Sequence, residues 1–568
     1  MLGLEGLLEE YKIILRDFYP ETCDYWELED DNLLGFPAKE AREQAKRRLN
    51  ELKDKVDALW TTDELGLYQL LLHGISEKLT EIDLKTEIKI KEAYYWSIFP
   101  SVGGSLFSVM DKLNDSIEAK PEKAVLIAEK FLRYLHSIPT FVEETLSSGP
   151  FVRGWTRYDR GNVKCVLGEG EGSIDYIFNR LQEIDGITKE RLKVYKQSIR
   201  EAKKKLREYR DNVLKQSTIK EWPIGKNQLE KLYSTFGYDG TIDQMVIEAK
   251  ESFSEIMDKI DLLLKSKFEN ISLDDAMKSI VNNKIIDPND KKYLHNKDLF
   301  DEDLRQSYIT KARKILDKLE SAGLRLPKNV CFEFKLLPKP ARKNSPGIFS
   351  LVKNEKIDGK IVGDIWINPD DETINFIDGL TNTILHEVFG HVLHQYYDDK
   401  LIQKSKYFSL FFGTKETSEG VACYLERFDG LIKLTKQEKL YGLFESLKPY
   451  IRLLEEIAIL TSDISVLEGI AGFKLPKRHS YMKDSSYTYY AAAKLNSKFR
   501  LLPYRDAKYD MESYVKFPEN IGASFGYGSS YGRGLIMLNK MIKGNNLRGI
   551  KKVLEYGTLP LGYIASRL

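Results

Sequence analysis

The chain predicts a mainly α-helical protein with one small β-sheet. Three observations carry that prediction. Residues 1 to about 290 read as helix after helix; short β-branched and aromatic runs fall between 330 and 369; and helical periodicity resumes near Thr373 and continues to the C-terminus. The 568 residues, 42% hydrophobic and 30% charged, have the composition of a globular protein long enough to bury a sizeable core. The texture divides the chain into a helical N-terminal half, 1–290, and a second half, 291–568.

In the first half, LLHGISEKLTEIDLKTEIKIKEAYYW, EKAVLIAEKFLRYLHSI and IDYIFNRLQEI place apolar residues three and four apart, as amphipathic helices do. The basic segment 194–215 reads as a solvated bundle helix whose Lys/Arg face is offset by Glu and Asp. Between 147 and 173 glycines and a proline interrupt the helices. Gly168, Gly170 and Gly172 alternate there, but Glu169 and Glu171 between them would repel a phosphate. A loop leading into a helix capped by Ser173 is expected instead.

A polar stretch at 281–304 reads as the connection between halves. After it come VCFEFKLL (330–337), PGIFSLV (346–352) and KIVGDIWINP (360–369), expected as strands of one sheet. A helix is expected over about 373–396 and another over about 414–430, followed by a helical C-terminal region broken by a Gly/Ser/Tyr-rich loop at 520–534.

Charge excludes some functions. With 87 Lys+Arg against 86 Asp+Glu, the net charge of +1 gives no field for gripping a polyphosphate, so nucleic acid is not an expected partner. No window of about 18 residues lacks charge, so no membrane span is expected. The four cysteines, Cys23, Cys165, Cys331 and Cys423, are scattered, and the start is acidic. Both features predict a cytosolic protein.

The chemistry concentrates in TILHEVFGHVLHQ. Three of the seven histidines, His386, His391 and His394, fall within nine residues, the first two enclosing Glu387 and Gly390 as H-E-x-x-G-H. Zinc proteases carry H-E-x-x-H, with two imidazoles one turn apart and the glutamate as general base. Here the second histidine comes one residue late. On a regular helix that leaves the two side chains about 140° apart. A π-bulge brings them back to within about 50°, and Gly390 is the residue most tolerant of such a change.

Tetrahedral zinc needs a third protein ligand and one open position. The segment TKETSEGVACYLERF offers Glu416, Glu419 and Glu426 near one helical face. Glu419, 28 residues after His391, is the expected ligand, with Glu416 as the fallback.

At this point the sequence resembles known families. HEVFGH matches the zinc signature of dipeptidyl peptidase III. The wider context resembles domain-of-unknown-function family 885, helical proteins similar to gluzincin-type zinc peptidases. In that family a PG-IF-type strand precedes an H-E-x-x-P-G-H-H helix, an S-E-G-W-A-L-Y helix follows, and S-Y-x-x-G and G-x-L-P-L patterns close the chain. Their counterparts here are SPGIFSLV, HEVFGHVLHQ, SEGVACYLE, SSYGRG and YGTLPLG. The likeness covers about 330–568, and the first 300 residues in helical character only. The family's proline is absent, its paired histidine is Val392 and its tryptophan is Val421.

The resemblance implies a multi-helical zinc-metallopeptidase-like fold in which His386, His391 and Glu419 hold one Zn²⁺. Glu387 is then the catalytic base, and Tyr531 carries over as the pattern tyrosine. The expected function is hydrolysis of short peptides by a metal-activated water. The alternatives are a zinc hydrolase of another amide or ester, and a non-enzymatic protein with a relic metal site.

The oxyanion would need a second donor, for which Tyr531 is expected, with Tyr527 or His479 as alternatives. The strand GDIWINP is expected at an exposed sheet edge, where Trp366 and Asn368 would face a peptide substrate. Arg478 and Arg533 are candidate partners for substrate termini. His394 has three readings: support for a ligand, substrate contact, or helix surface. In thermolysin-like sites an Asp four residues beyond the ligand Glu orients a histidine. That position is Cys423 here, leaving Glu416 or Glu426 for the task.

Overall fold

The computed structural model describes residues 3–18, 39–59, 63, 65–87, 109–110, 113–114, 116–117, 121–147, 163–164, 166–168, 172–213, 215, 225–268, 271–286, 290, 292–293, 296–321, 325–342, 348–352, 361–371, 376–427, 433–480, 482–499, 504, 507–508, 527–542 and 546–568. As expected, the protein is mainly helical with one small sheet. No described helix is long and apolar enough to cross a membrane.

The chain forms two compact units. The first comprises 1–224 with short pieces at 338–344 and 516–525; the second takes in 225–337, 345–515 and 526–568. The change of unit falls between Ile224 and Gly225, upstream of the polar stretch at 281–304 where the sequence changes texture.

In the first unit the helices Leu4–Phe18, Lys39–Leu59 and Leu67–Glu87 pack together, and Pro121–Ser147 lies along Lys189–Asn212. The latter pair buries Phe131, Leu135 and Ile138 against Tyr195, Ala202 and Leu206. The outer basic face of Lys189–Asn212 is tied by Lys203 to Asp175 at 2.5 Å and by Lys205 to Glu143 at 2.6 Å, so it is a bundle helix. The helix at 173 is capped differently from expectation. Ser173 is already helical and buried, and Gly172 holds the cap position. A Cβ on Gly172 would stand 2.6 Å from the Gly168 nitrogen, so crowding selects glycine where a capping side chain was expected.

In the second unit, Lys226–Thr235, Ile242–Lys267, Leu273–Asn282 and Lys297–Ser321 precede the sheet. Thr241 and Ser272 start two of these helices by accepting hydrogen bonds from Gln244 N–H and Asp275 N–H. Three strands follow, β1 (Val330–Leu336), β2 (Ile348–Val352) and β3 (Ile361–Ile367). Their order is β1-β3-β2, with β3 parallel to β1 and antiparallel to β2.

This order corrects one expectation, because β3 is the central strand and not an edge. Trp366 is 4% exposed and Asn368 3%, so neither faces a substrate. Asn368 instead accepts Asp370 N–H at 3.2 Å and turns the chain out of the sheet. The continuous run Ile365-Trp366-Ile367 is buried on both faces of the sheet, as a central strand must be.

The stretch 520–534, expected as a loop, is helical from Tyr527, the first residue of Tyr527–Met541; residues 520–526 lie outside the described residues. Its glycines serve helix packing. A Cβ on Gly532 would stand 2.7 Å from the Pro449 carbonyl, and one on Gly534 2.8 Å from Gly420 Cα. Close backbone approach selects glycine here, not the freedom of a loop.

Candidate metal centre

The helix carrying H-E-x-x-G-H begins as a 3₁₀ turn, Ile377–Gly379, and becomes α over Leu380–Ile384. It is π-helical over Leu385–Val392 and α again over Leu393–Lys404. The wider π turn lies where the extra residue sits. It brings the His386 and His391 ring centroids to 4.8 Å, at an interplanar angle of 80°. Gly390 does not adopt a positive φ, and its role is steric. A Cβ there would stand 2.5 Å from Ala422 Cβ, so only glycine lets this helix meet Lys415–Glu426 so closely.

That contact delivers the third group. Glu419 is buried, and its Oε2 lies 3.4 Å from His386 Nε2 and 3.7 Å from His391 Nε2. Zinc with bonds of about 2.0–2.2 Å holds neighbouring donor atoms roughly 3.3–3.6 Å apart, close to these two spacings, and the three ligand atoms all lie within 4.8 Å of one another. The side chains of His386 and His391 keep 15% and 17% exposure, which leaves the group open to water on one side. Glu387, adjacent to His386, is 6% exposed.

Other groups hold the imidazoles in place. With Nε2 turned to Glu419, His386 Nδ1–H donates to Glu426 and His391 Nδ1–H donates to Ser418 Oγ at 2.9 Å. Glu426 therefore performs the orienting task for His386, with the Cys423 thiol close to the same imidazole. The Cys423 thiol is buried, and burial pushes its pKa up. Ser418 was not singled out from the sequence, although its place next to Glu419 is a usable signal.

Electrostatics follow the geometry. Burial works against a charge on His386, but the Glu426 carboxylate raises its pKa well above the ordinary value. Burial lowers His391 to about 4. Burial also opposes the charge on Glu419, yet the two imidazoles hold its carboxyl below the usual range.

His394 is not among the clustered ligand atoms. It is 1% exposed, and burial pushes it down to about 3. That burial excludes a helix-surface role.

Tyr531, on Tyr527–Met541, stacks near His386 with ring centroids 6.5 Å apart and planes 14° from parallel. The Arg452 guanidinium lies 4.8 Å from the Tyr531 ring centroid. Tyr527 begins the same helix, and its side chain lies outside the described residues. His479 is exposed in a turn closed by Met482 N–H to the His479 carbonyl. Arg478 is exposed beside it and pairs with Asp484 at 2.7 Å. Neither belongs to the ligand cluster.

Two expectations are corrected here. Arg533 is fully buried and pairs with Glu416, with Glu456 Oε1 at 3.7 Å and the Tyr233 ring centroid at 4.2 Å. It cannot meet a substrate terminus. Glu416 is committed to that pair, and the fallback ligand is thereby removed. A buried guanidinium has to be paired, and Glu416 supplies that partner.

No protein-family model and no curated protein sequence matches the chain. Several solved structures share its fold, and two of them are called putative lipoproteins. One is a "putative lipoprotein" from Colwellia psychrerythraea, with a TM-score of 0.67 and 14% identity over 99% of this chain and 97% of that one. The other is a "putative lipoprotein of unknown function" from Shewanella oneidensis, with a TM-score of 0.67 and 14% identity over the full length of both.

The likeness overturns the cytosolic placement, since the fold occurs in chains described as lipoproteins. Scattered cysteines and an acidic start report on redox chemistry and local helix formation; they do not fix a compartment.

Proposed function

We propose that the protein is a zinc-dependent metallopeptidase acting on short peptides, in line with the resemblance to family 885. The observation that carries the reading is the convergence of His386 Nε2, His391 Nε2 and Glu419 Oε2 beside Glu387. A bound zinc would polarise the scissile carbonyl and lower the pKa of a water in the open position. The residues of the chain do the rest. The Glu387 carboxylate takes the proton of the attacking water and passes it to the leaving nitrogen. Glu426 and Ser418 fix the two rings so that each presents Nε2. Tyr531, stacked beside His386, is the donor for the developing oxyanion.

A peptide backbone is the substrate class that the sheet favours. With β3 in the middle, the outer antiparallel strand is β2, which packs against the π-helical segment. No described strand pairs with its outer side, so β2 offers main-chain groups to an extended peptide.

The test combines elemental analysis with mass spectrometry of a peptide mixture before and after incubation. Expected are a single bound zinc, and cuts that fall by about 10²–10⁴-fold in Glu387→Gln while the metal stays bound. A metal-loaded Glu387→Gln variant with full activity refutes the role of Glu387. Turnover of small amides or esters alone would replace the peptide with another carbonyl substrate.

A further inference from the structure

Two turns beyond His391 along the same helix, Asp398 is 1% exposed. Its Oδ1 accepts Thr558 N–H at 2.7 Å, and its Oδ2 accepts the Thr558 hydroxyl at 2.8 Å. The same threonine also reaches the helix that bears Glu419. Gly413 N–H donates to Thr558 Oγ1 at 2.9 Å, and Thr414 N–H donates to the Thr558 carbonyl at 3.1 Å. One residue on, the Leu559 carbonyl accepts the Thr417 hydroxyl at 2.6 Å.

Thr414 is the cap of Lys415–Glu426, and its own side chain makes no capping bond. The Thr558 carbonyl thus takes up an amide at the start of the ligand helix. The Thr558 hydroxyl accepts from one helix's entry and donates to the other helix's carboxylate, a directed chain across the pair.

The loop is shaped for this. Gly557 has φ +56°, and a Cβ on it would stand 3.1 Å from the Asp398 nitrogen and would overlap Asp398 Oδ1. Only glycine lets the next residue come so near.

We propose that Asp398 and Thr558 are positioning residues of the metal centre. The loop 557–559 locks the helix of His386 and His391 to the helix of Glu419, so the C-terminal segment sets the spacing at which the chain holds a divalent cation. The proposal rests on the reading of those three residues as ligands, not on hydrolysis. By reciprocity, a cation held by both helices tightens the loop.

Zinc affinity by chelator competition, thermal unfolding with and without zinc, and amide hydrogen exchange test it. Thr558→Val keeps the branched shape and the backbone N–H but removes the hydroxyl. It is expected to weaken zinc binding about tenfold, at the lower end for groups that support ligands indirectly. It also shrinks the zinc-induced rise in Tm, and Thr558→Ser restores both. In the native chain, zinc slows exchange at Thr558 and Gly413. Equal losses of Tm in the metal-free and zinc-loaded Thr558→Val variant, with zinc affinity unchanged, would reduce the loop to ordinary structure and overturn the proposal alone. A native chain that binds no zinc removes the ligand reading and the proposal together.

Discussion

Gly390→Ala probes the contact on which the proposed metal centre depends. The added methyl would stand 2.5 Å from Ala422 Cβ and 2.7 Å from Ala422 Cα. Carbon atoms pack at about 3.5–4.0 Å, so the two helices must separate by roughly 1 Å or bend. Overpacking of this kind costs about 1–3 kcal/mol, which is a fall in Tm of roughly 2–10 °C for a unit of this size.

Metal affinity suffers more than stability does. Metal–ligand distances tolerate about 0.2 Å, and Gly390 directly precedes His391 while Ala422 lies three residues beyond Glu419. Zinc binding is therefore expected to weaken by about 10–100-fold. Ala422→Gly added to Gly390→Ala removes the nearer clash and recovers part of both losses. Chelator competition and differential scanning calorimetry read the two quantities. If Gly390→Ala leaves Tm and zinc affinity unchanged, close approach is not what positions His391 against Glu419.

Other perturbations act on neighbouring parts. Glu426→Gln keeps the shape but removes the charge that receives His386 Nδ1–H; zinc affinity should fall about 10–100-fold with the circular dichroism spectrum unchanged. Arg533→Met leaves Glu416 and Glu456 buried without their cation, so urea unfolding should show a loss of about 3–5 kcal/mol, largely recovered when both glutamates become glutamine. Burial raises Asp398 from 3.8 to about 7, so the folded state holds its proton more tightly than the unfolded chain. Asp398 should thus draw stability down by about 4 kcal/mol as pH rises from 4 to 7, with no further change above; Asp398→Asn should flatten that slope in urea titrations.

What the sequence made legible is what local spacing encodes. The five-residue interval between His386 and His391 demanded a wider helical turn, and Leu385–Val392 is π-helical. The spacing of Glu416, Glu419 and Glu426 put them near one helix face, and two of the three converge on His386. Strand order lies beyond such reasoning. GDIWINP reads equally as an edge or a centre until β1 and β2 are seen to flank it. Arg533 reads as a candidate for substrate termini because its partners, Glu416 and Glu456, lie on other helices. The glycines of 520–534 looked like a loop because propensity counts backbone freedom and is blind to a neighbouring backbone. Asp398, one of two adjacent aspartates, gave no local sign that Thr558 would meet it.

The same blindness explains why the centre is precise. Three close approaches at glycines follow one another through the second unit. Gly363 on β3 lies against Val392 of the histidine helix, Gly390 of that helix against Ala422, and Gly420 against Gly534 of the next. Sheet, histidine helix, glutamate helix and Tyr531 helix are thus stacked in close contact. Side chains on such a stack have little room to drift, which is the condition for holding ligands within a few tenths of an ångström. Each contact joins neighbours in the stack, so a bulkier residue at Gly420 should disturb the centre although it touches no ligand atom. The geometry of the proposed ligands is thereby a property of four packed elements, with the histidine motif supplying only its chemistry.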